Sequence, residues 1–228
     1  MPRHEAAGAA VKRRSDSPGE DTRPGSALPG ERWLLFLCAA ILVVFVWSVI
    51  GCHDLFTWSL EVSPGVIGIA ALAVTYRRFR FTNLVYTLIA LHAIILFIGG
   101  HYTYAEMPLF NHLRDSFHLS RNYYDRLGHF AQGFVPAMIV REFLLRKTSL
   151  RRGKLLSFLV LCVCMAISAW YELFEFAAAR ITGTAADAFL GSQGDPWDTQ
   201  WDMTFCFIGA TCALLLLSRW HDRLLARY

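Results

Sequence analysis

Glu172 and Glu175 stand three residues apart in Ser168-Ala169-Trp170-Tyr171-Glu172-Leu173-Phe174-Glu175-Phe176, among large apolar side chains. That spacing puts both carboxylates on one helix face. Ionised carboxylates in an apolar, membrane-like setting are expensive, so they turn to a protein interior or a wet cavity. They also need a proton, a cation or a basic partner between them. A second acidic set lies in Gly194-Asp195-Pro196-Trp197-Asp198-Thr199-Gln200-Trp201-Asp202. Asp195 followed by Pro196 reads as an N-cap with proline at the first helical position, and Asp198 as the acid of the first turn. Asp202 lies four residues further in on the face of Asp198. Cys206, Gly209 and Ala213 continue roughly that face with small side chains that let another helix approach. Asp125 and His129, spaced by four, make a third set, with Gln132, Gly133 and Pro136 following. His101 makes a fourth, after Gly99-Gly100 and ahead of Tyr102, Tyr104 and Glu106.

Two chemistries suit these residue types. Histidine titrates near neutral pH and crowded carboxylates are pushed upward, which suits acid–base work by Glu172, Glu175, His129, Asp202 and Asp125. Histidine nitrogen with carboxylate oxygen equally suits a hard or borderline divalent metal, for which His101, His129, Glu172, Glu175, Asp198 and Asp202 are the candidate ligands. No HExxH, GxSxG or Walker loop accompanies them. The competing expectation is a hydrogen-bonded network that fixes helix register with no ligand. His53, His112 and Asp187 read as ordinary loop residues, and His92 as a lone mid-helix histidine bonded to a backbone carbonyl.

The elements that must carry these residues are membrane helices. The chain has 228 residues, 55% hydrophobic and only 18% charged, a low charge share for a soluble domain of this length. Residues 1–32 lack apolar periodicity and read as a disordered basic tail that carries Lys12-Arg13-Arg14. Trp33 to Ile50 is one unbroken apolar run, ~27 Å long as a helix and so long enough to span. Val49-Ile50-Gly51-Cys52 resembles a lipoprotein cleavage site, but the long tail ahead of the run argues against a cleaved signal. Further spans are expected over residues 58–76, 82–100, 129–145, 155–179 and 201–217. The fourth is the weakest, because it carries Gln132, Arg141 and Glu142. The six cysteines form no disulfide or zinc pattern, and five of them lie inside apolar stretches as small hydrophobes.

Charge placement tests this threading. With the N-terminus inside, residues 1–32, 77–81, 141–154 and 219–228 face the cytoplasm and hold six, three, six and three basic residues, 18 of 22. The outer segments hold only Arg114, Arg121, Arg126 and Arg180. Positive segments resist translocation, so this bias sets orientation. Acidic residues show the opposite bias: eleven of 18 fall at or near the outer side. Omitting the fourth span would put Arg146, Lys147, Arg151, Arg152 and Lys154 outside, so it is kept. The expected architecture is an all-α polytopic membrane helical bundle of about six transmembrane helices, N-in and C-in. It spans residues 33–217, with a basic C-terminal tail over 218–228.

The blocks Gly100-His101-Tyr102-Thr103-Tyr104-Ala105-Glu106-Met107-Pro108, Asp125-Arg126-Leu127-Gly128-His129-Phe130-Ala131-Gln132-Gly133, Tyr171-Glu172-Leu173-Phe174-Glu175 and Gly191-Ser192-Gln193-Gly194-Asp195-Pro196-Trp197-Asp198-Thr199-Gln200 resemble YjdF-type bacterial inner-membrane proteins. The likeness covers roughly residues 33–217 and implies a multi-pass inner-membrane location rather than a chemistry. The last two spans also resemble, in pattern alone, VanZ-like membrane proteins.

The expectation for function is a carboxylate- and histidine-rich site at the periplasmic face. It would belong to a metal- or acid–base-dependent enzyme acting on a lipid-linked or amphiphilic substrate. A binding or transport protein using the same pocket, or a purely structural network, are the alternatives. The bilayer is the expected partner, no nucleic acid is, and a divalent metal is the candidate cofactor. Reporter fusions after Arg80, Leu150 and Trp220 should behave as cytoplasmic, and fusions after Leu55, Asp115 and Leu190 as external. An external result at Leu150 with a cytoplasmic one at Leu190 would overturn the six-span threading.

Overall fold

The computed structural model describes residues 29–183 and 187–226, so most of the basic tail expected over residues 1–32 lies outside it. The described residues are helical with no strand: α1 Pro29–Val49, α2 Leu55–Thr75, α3 Asn83–Tyr102, a short 3-10 turn Tyr104–Glu106, α4 Pro108–Phe117, α5 Tyr124–Lys147, α6 Lys154–Thr182, α7 Asp187–Leu190 and α8 Asp198–Leu225. Among them α1, α2, α3, α6 and α8 are long and apolar enough to cross a membrane. Local chemistry sets their ends. Asp54 caps α2, its carboxylate accepting from Thr57 N at 2.7 Å, and that backbone bond holds the acid below its usual pKa. Thr82 caps α3 by accepting from Val85 N.

α5 fails the apolar test yet is the centre of the structure. Twelve of its 24 residues are buried, and it packs on α8, α6 and α3. A helix enclosed by other helices needs no apolar outer face, so its hydropathy understates its place. It begins at Tyr124, five residues before the expected start at His129, which brings Asp125 and Arg126 into its first turn.

The α5–α8 contact is the closest in the molecule. A Cβ on Gly133 would lie 1.8 Å from the Cys206 carbonyl oxygen, and one on Gly209 would lie 2.0 Å from the Phe130 carbonyl oxygen. Cys206, Ala210 and Ala213 are wholly buried along the same seam. The small-residue face read from the sequence therefore admits the backbone of a second helix. Arg126, Gly133 and Arg141 on α5 meet Asp202, Cys206 and Asp222 on α8, so the two helices form one pillar with polar groups at both ends.

Three elements differ from expectation. α4 is an amphipathic helix with no buried residue, in a segment read as loop; Pro108 starts it and His118, in the left-handed region, stops it. α8 starts at Asp198 rather than at Pro196. Asp195 instead accepts from Trp197 N at 2.9 Å, which closes a turn ahead of the helix. At its other end α8 runs to Leu225, through residues expected as a C-terminal tail.

Packing at the glycine seam yields a direct stability test. Gly133→Ala and Gly209→Ala should each cost about 1–3 kcal/mol or more, because the new methyl group meets backbone that cannot rotate away. Gly68→Ala should be neutral or slightly stabilising, since a Cβ there meets nothing within 4 Å. Thermal unfolding of purified protein in detergent reads all three. A silent Gly133→Ala would contradict the seam.

Candidate functional site

At the end of the pillar where α5 begins, α5 and α8 face each other through charged side chains. Asp125, Arg126 and His129 come from α5, Asp198 and Asp202 from α8, and Arg121 and Asp195 from the segments leading into them. Arg126 is 3% exposed. It donates to Asp198 Oδ1 at 2.6 Å and to Asp202 Oδ1, and lies 3.6 Å from Asp125 Oδ2 and 3.5 Å from Asp195 Oδ2. Arg121 donates to the same Asp198 oxygen at 2.5 Å and lies 3.6 Å from both Asp125 and Asp195. Each arginine thus bridges three or more carboxylates from both sides of the pillar.

A short wrap of chain holds Arg121 in place. Gly191, Gln193 and Gly194 all have positive φ, and this conformation presents the Gly191 carbonyl to Arg121 Nη2 at 2.9 Å. Gln193 locks the wrap by a reciprocal amide pair with the backbone of Asn122, at 2.8 and 2.9 Å. Asn122, fully buried, also donates to Met107 O and Asn111 Oδ1, which ties in α4. The long Gly191–Gln200 motif therefore builds the arginine socket.

His129 lies among the carboxylates of the cluster. Its Nε2 lies 3.5 Å from Asp125 Oδ1 and 3.5 Å from Asp202 Oδ1, while Nδ1 lies 2.9 Å from Gln132 Oε1. With that oxygen as acceptor, Nδ1 carries a proton and Nε2 faces the two carboxylates. Glu172 Oε1 stands 3.9 Å from Nδ1 and is buried with no hydrogen-bond partner. Two guanidinium charges therefore stand against four aspartates, with Glu172 in addition, and the deficit must be met by protons or a cation.

A small cavity of about 50 Å³ opens beside His129, walled by His92, Tyr104, Gln132 and Tyr171 among others. The Tyr104 ring reaches it through a slot between Gly99 and Gly128; a Cβ on Gly99 would lie 2.0 Å from that ring. Burial pushes the Tyr104 phenol well above its usual pKa, so it stays protonated, yet its hydroxyl has no partner. His92 Nε2 is likewise unpartnered, where a bond to a backbone carbonyl was expected.

The expected site residues separate into groups. Asp125, His129 and Asp202 converge, with ligand-type atoms within 4.8 Å of one another. Asp198 joins them through both arginines, and Glu172 through His129. Glu175 is buried on the same face of α6, within electrostatic reach of that group but with no bond to it. His101 stands apart. Its ring stacks on Trp47 at 4.2 Å and its Nδ1 lies 3.2 Å from the Ser48 carbonyl, so the metal set read from the sequence does not assemble around it.

The sequence reading counted Arg121 and Arg126 only as outer-segment charges. The signal that marks them is charge balance, since buried acids on one face require bases nearby. A second buried network was also missed, at the opposite end of the pillar. His221 Nε2 lies 2.9 Å from Glu142 Oε2, and Arg141 donates to Asp222 at 2.6 Å and meets His221 Nδ1 at 2.9 Å. Thr82 donates to both oxygens of Glu142, at 2.9 Å from its N–H and 2.8 Å from its hydroxyl. These groups bond mainly to one another, as a structural clasp would.

No solved structure matches the chain. The inner membrane protein YjdF of Escherichia coli (strain K12) is 48% identical over 188 residues, covering 82% of this chain and 90% of that protein. Residues 33–223 match the family described as predicted membrane protein (DUF2238), so the match takes in the five apolar helices, α5 and the whole charged cluster. The chain belongs to the DUF2238 family of membrane proteins.

Proposed function

We propose that this is an inner-membrane protein that crosses the bilayer six times with both termini inside. Its Asp125–His129–Asp202 group, with Glu172 beside it, is an acid–base centre at the periplasmic face that acts on a lipid-linked or amphiphilic substrate. The inner-membrane location is carried from the Escherichia coli relative. The span that apolar composition does not mark is α5, the fourth in chain order. Asp125 and Glu142, the two ends of its polar equipment, are 17 residues apart, ~26 Å along a helix. That separation fits the ~30 Å hydrocarbon core, with one charged network at each interface. Orientation follows from the 18 basic residues on the Glu142–His221 side of this threading.

The observation that carries the acid–base reading is the surplus of carboxylates around His129. An imidazole between Asp125 and Asp202, with the unpartnered Oε1 of Glu172 3.9 Å from its other nitrogen, can hold a proton and pass it to a group in the adjoining cavity. A divalent cation at the same point would have to share Asp202 with Arg126, which already occupies Oδ1. Transport across the bilayer would need a polar path between the two networks. The middle of the pillar is instead closed where Gly133 meets Cys206 and Gly209 meets Phe130, with Cys164, Cys206 and Ala210 buried there.

Glu172→Gln and His129→Gln separate chemistry from scaffolding. Glu172 Oε1 bonds to nothing, so its amide variant should accumulate in the membrane and unfold within a few degrees of the parent. Both variants should fail to complement any phenotype of a deletion strain. Full complementation by both, with unchanged metal per purified chain, would leave the cluster a purely structural network.

A further inference from the structure

A groove of about 670 Å³ runs along the outside of the bundle between α2 and α6, with α3 and α5 as its floor. Its volume lies within the ~300–1,000 Å³ of ordinary small-molecule sites. Its walls are almost wholly apolar, and its rim residues Ile67, Trp170 and Phe174 are exposed toward the surroundings of the bundle. Along α2 it extends from Ser63 to Thr75, ~18 Å along the helix, close to the ~15 Å depth of half a hydrocarbon core. Two prolines shape it. Pro64 on α2 and Pro136 on α5 each remove a helical N–H, and the Ser63 hydroxyl donates at 2.8 Å to the Leu60 carbonyl that Pro64 leaves free.

The upper end of the groove adjoins the small cavity beside His129. Pro64, His92, Leu96, Gln132 and Tyr171 line both. The cavity has room for a water-sized polar group, and its walls carry unmet hydrogen-bonding capacity in the Tyr104 hydroxyl and His92 Nε2. Tyr104 is itself 92% buried, so bulk water does not meet that need. An apolar groove thus adjoins a small cavity whose walls hold two unpartnered hydrogen-bonding groups.

Resting on the acid–base reading of His129, we infer that the groove and the adjoining cavity together bind a single-chain amphiphile that enters sideways from the bilayer between α2 and α6. Its hydrocarbon chain lies in the groove, and its head group is a neutral or cationic hydrogen-bonding group, a hydroxyl or an amine. Charge decides the head group. The neighbourhood holds six carboxylates, Asp125, Asp195, Asp198, Asp202, Glu172 and buried Glu61, against Arg121, Arg126 and His129, and all three bases already face carboxylates. A phosphate or carboxylate head group would add like charge to that surplus, in a setting where screening is weak.

Photoreactive probes with one common hexadecyl chain and an alcohol, amine, carboxylate or phosphate head group test this on the full chain in phosphatidylcholine nanodiscs. The alcohol and amine should label peptides from α2 and α6, and the two anionic probes should label them about tenfold less. Gly68→Phe plugs the groove where a Cβ meets nothing within 4 Å, so it should keep the parent's thermal stability and lose labelling by all four probes. Tyr104→Phe should narrow the preference for the alcohol while leaving the chain in place. Equal labelling by all four head groups would reveal annular lipid only, and undiminished labelling of Gly68→Phe would place the probes elsewhere. Either result overturns the inference. His129→Gln keeps the two readings apart: loss of complementation with labelling intact supports both, whereas full complementation with labelling intact refutes the acid–base centre and leaves the binding site standing.

Discussion

A buried arginine has no acceptor of its own and cannot shed its charge, so the fold around it must supply carboxylates. Arg126 imposes that requirement at the start of α5, and α8 meets it with Asp198 and Asp202. Removing one side of such a pair leaves an uncompensated buried charge, which costs about 3–5 kcal/mol. The direction of α8, the socket made by the Gly191–Gln200 segment and the position of His129 between two aspartates all follow from satisfying this one guanidinium group and its neighbour Arg121.

The pillar gains its definition from three kinds of contact in sequence. Charged pairs close one end, the glycine seam brings the backbones together in the middle, and the Glu142–His221–Arg141 network closes the other end. Each is intolerant in a different way: charge of a missing partner, backbone of an added methyl, the far network of an unpaired donor. Together they fix the rotation and the sliding of α8 against α5. The side chains at the site end are thereby held without help from a disulfide, and all six cysteines are free. Outside the pillar the packing loosens. α2 and α6 stand apart, and the groove between them is the consequence.

The sequence disclosed the helices and the acidic faces more readily than the partnerships between them. Apolar runs mark α1, α2, α3, α6 and α8 because each carries a long stretch of mostly apolar side chains. α5 was legible only through charge placement, since its polar residues face other helices rather than lipid. Asp202 could be turned inward from the small residues that continue its face, and Gly209 and Ala213 do line the contact. Arg121 and Arg126 were hidden because arginines outside an apolar run ordinarily face water, whereas the Gly191–Asp195 wrap encloses Arg121 and the start of α8 encloses Arg126. His101 misled for the opposite reason. It follows two glycines and precedes tyrosines, which resembles a site, yet its local partners are Trp47 and Ser48 on α1. His221 and Asp222 sit beyond the last apolar run, where nothing local announces that α8 continues to meet Glu142.

The central claim is that Arg126 and Asp202 are coupled across the α5–α8 interface and that this coupling organises the site. A double-mutant cycle on thermodynamic stability, with Arg126→Met, Asp202→Leu and the two combined, measures it most directly. Each single variant should be strongly destabilised, and the double variant should be much less so than their sum, with an interaction energy of about 2–3 kcal/mol. Additive losses, with the double variant as unstable as the two singles together, would contradict the pairing and with it the account of how this cluster is held.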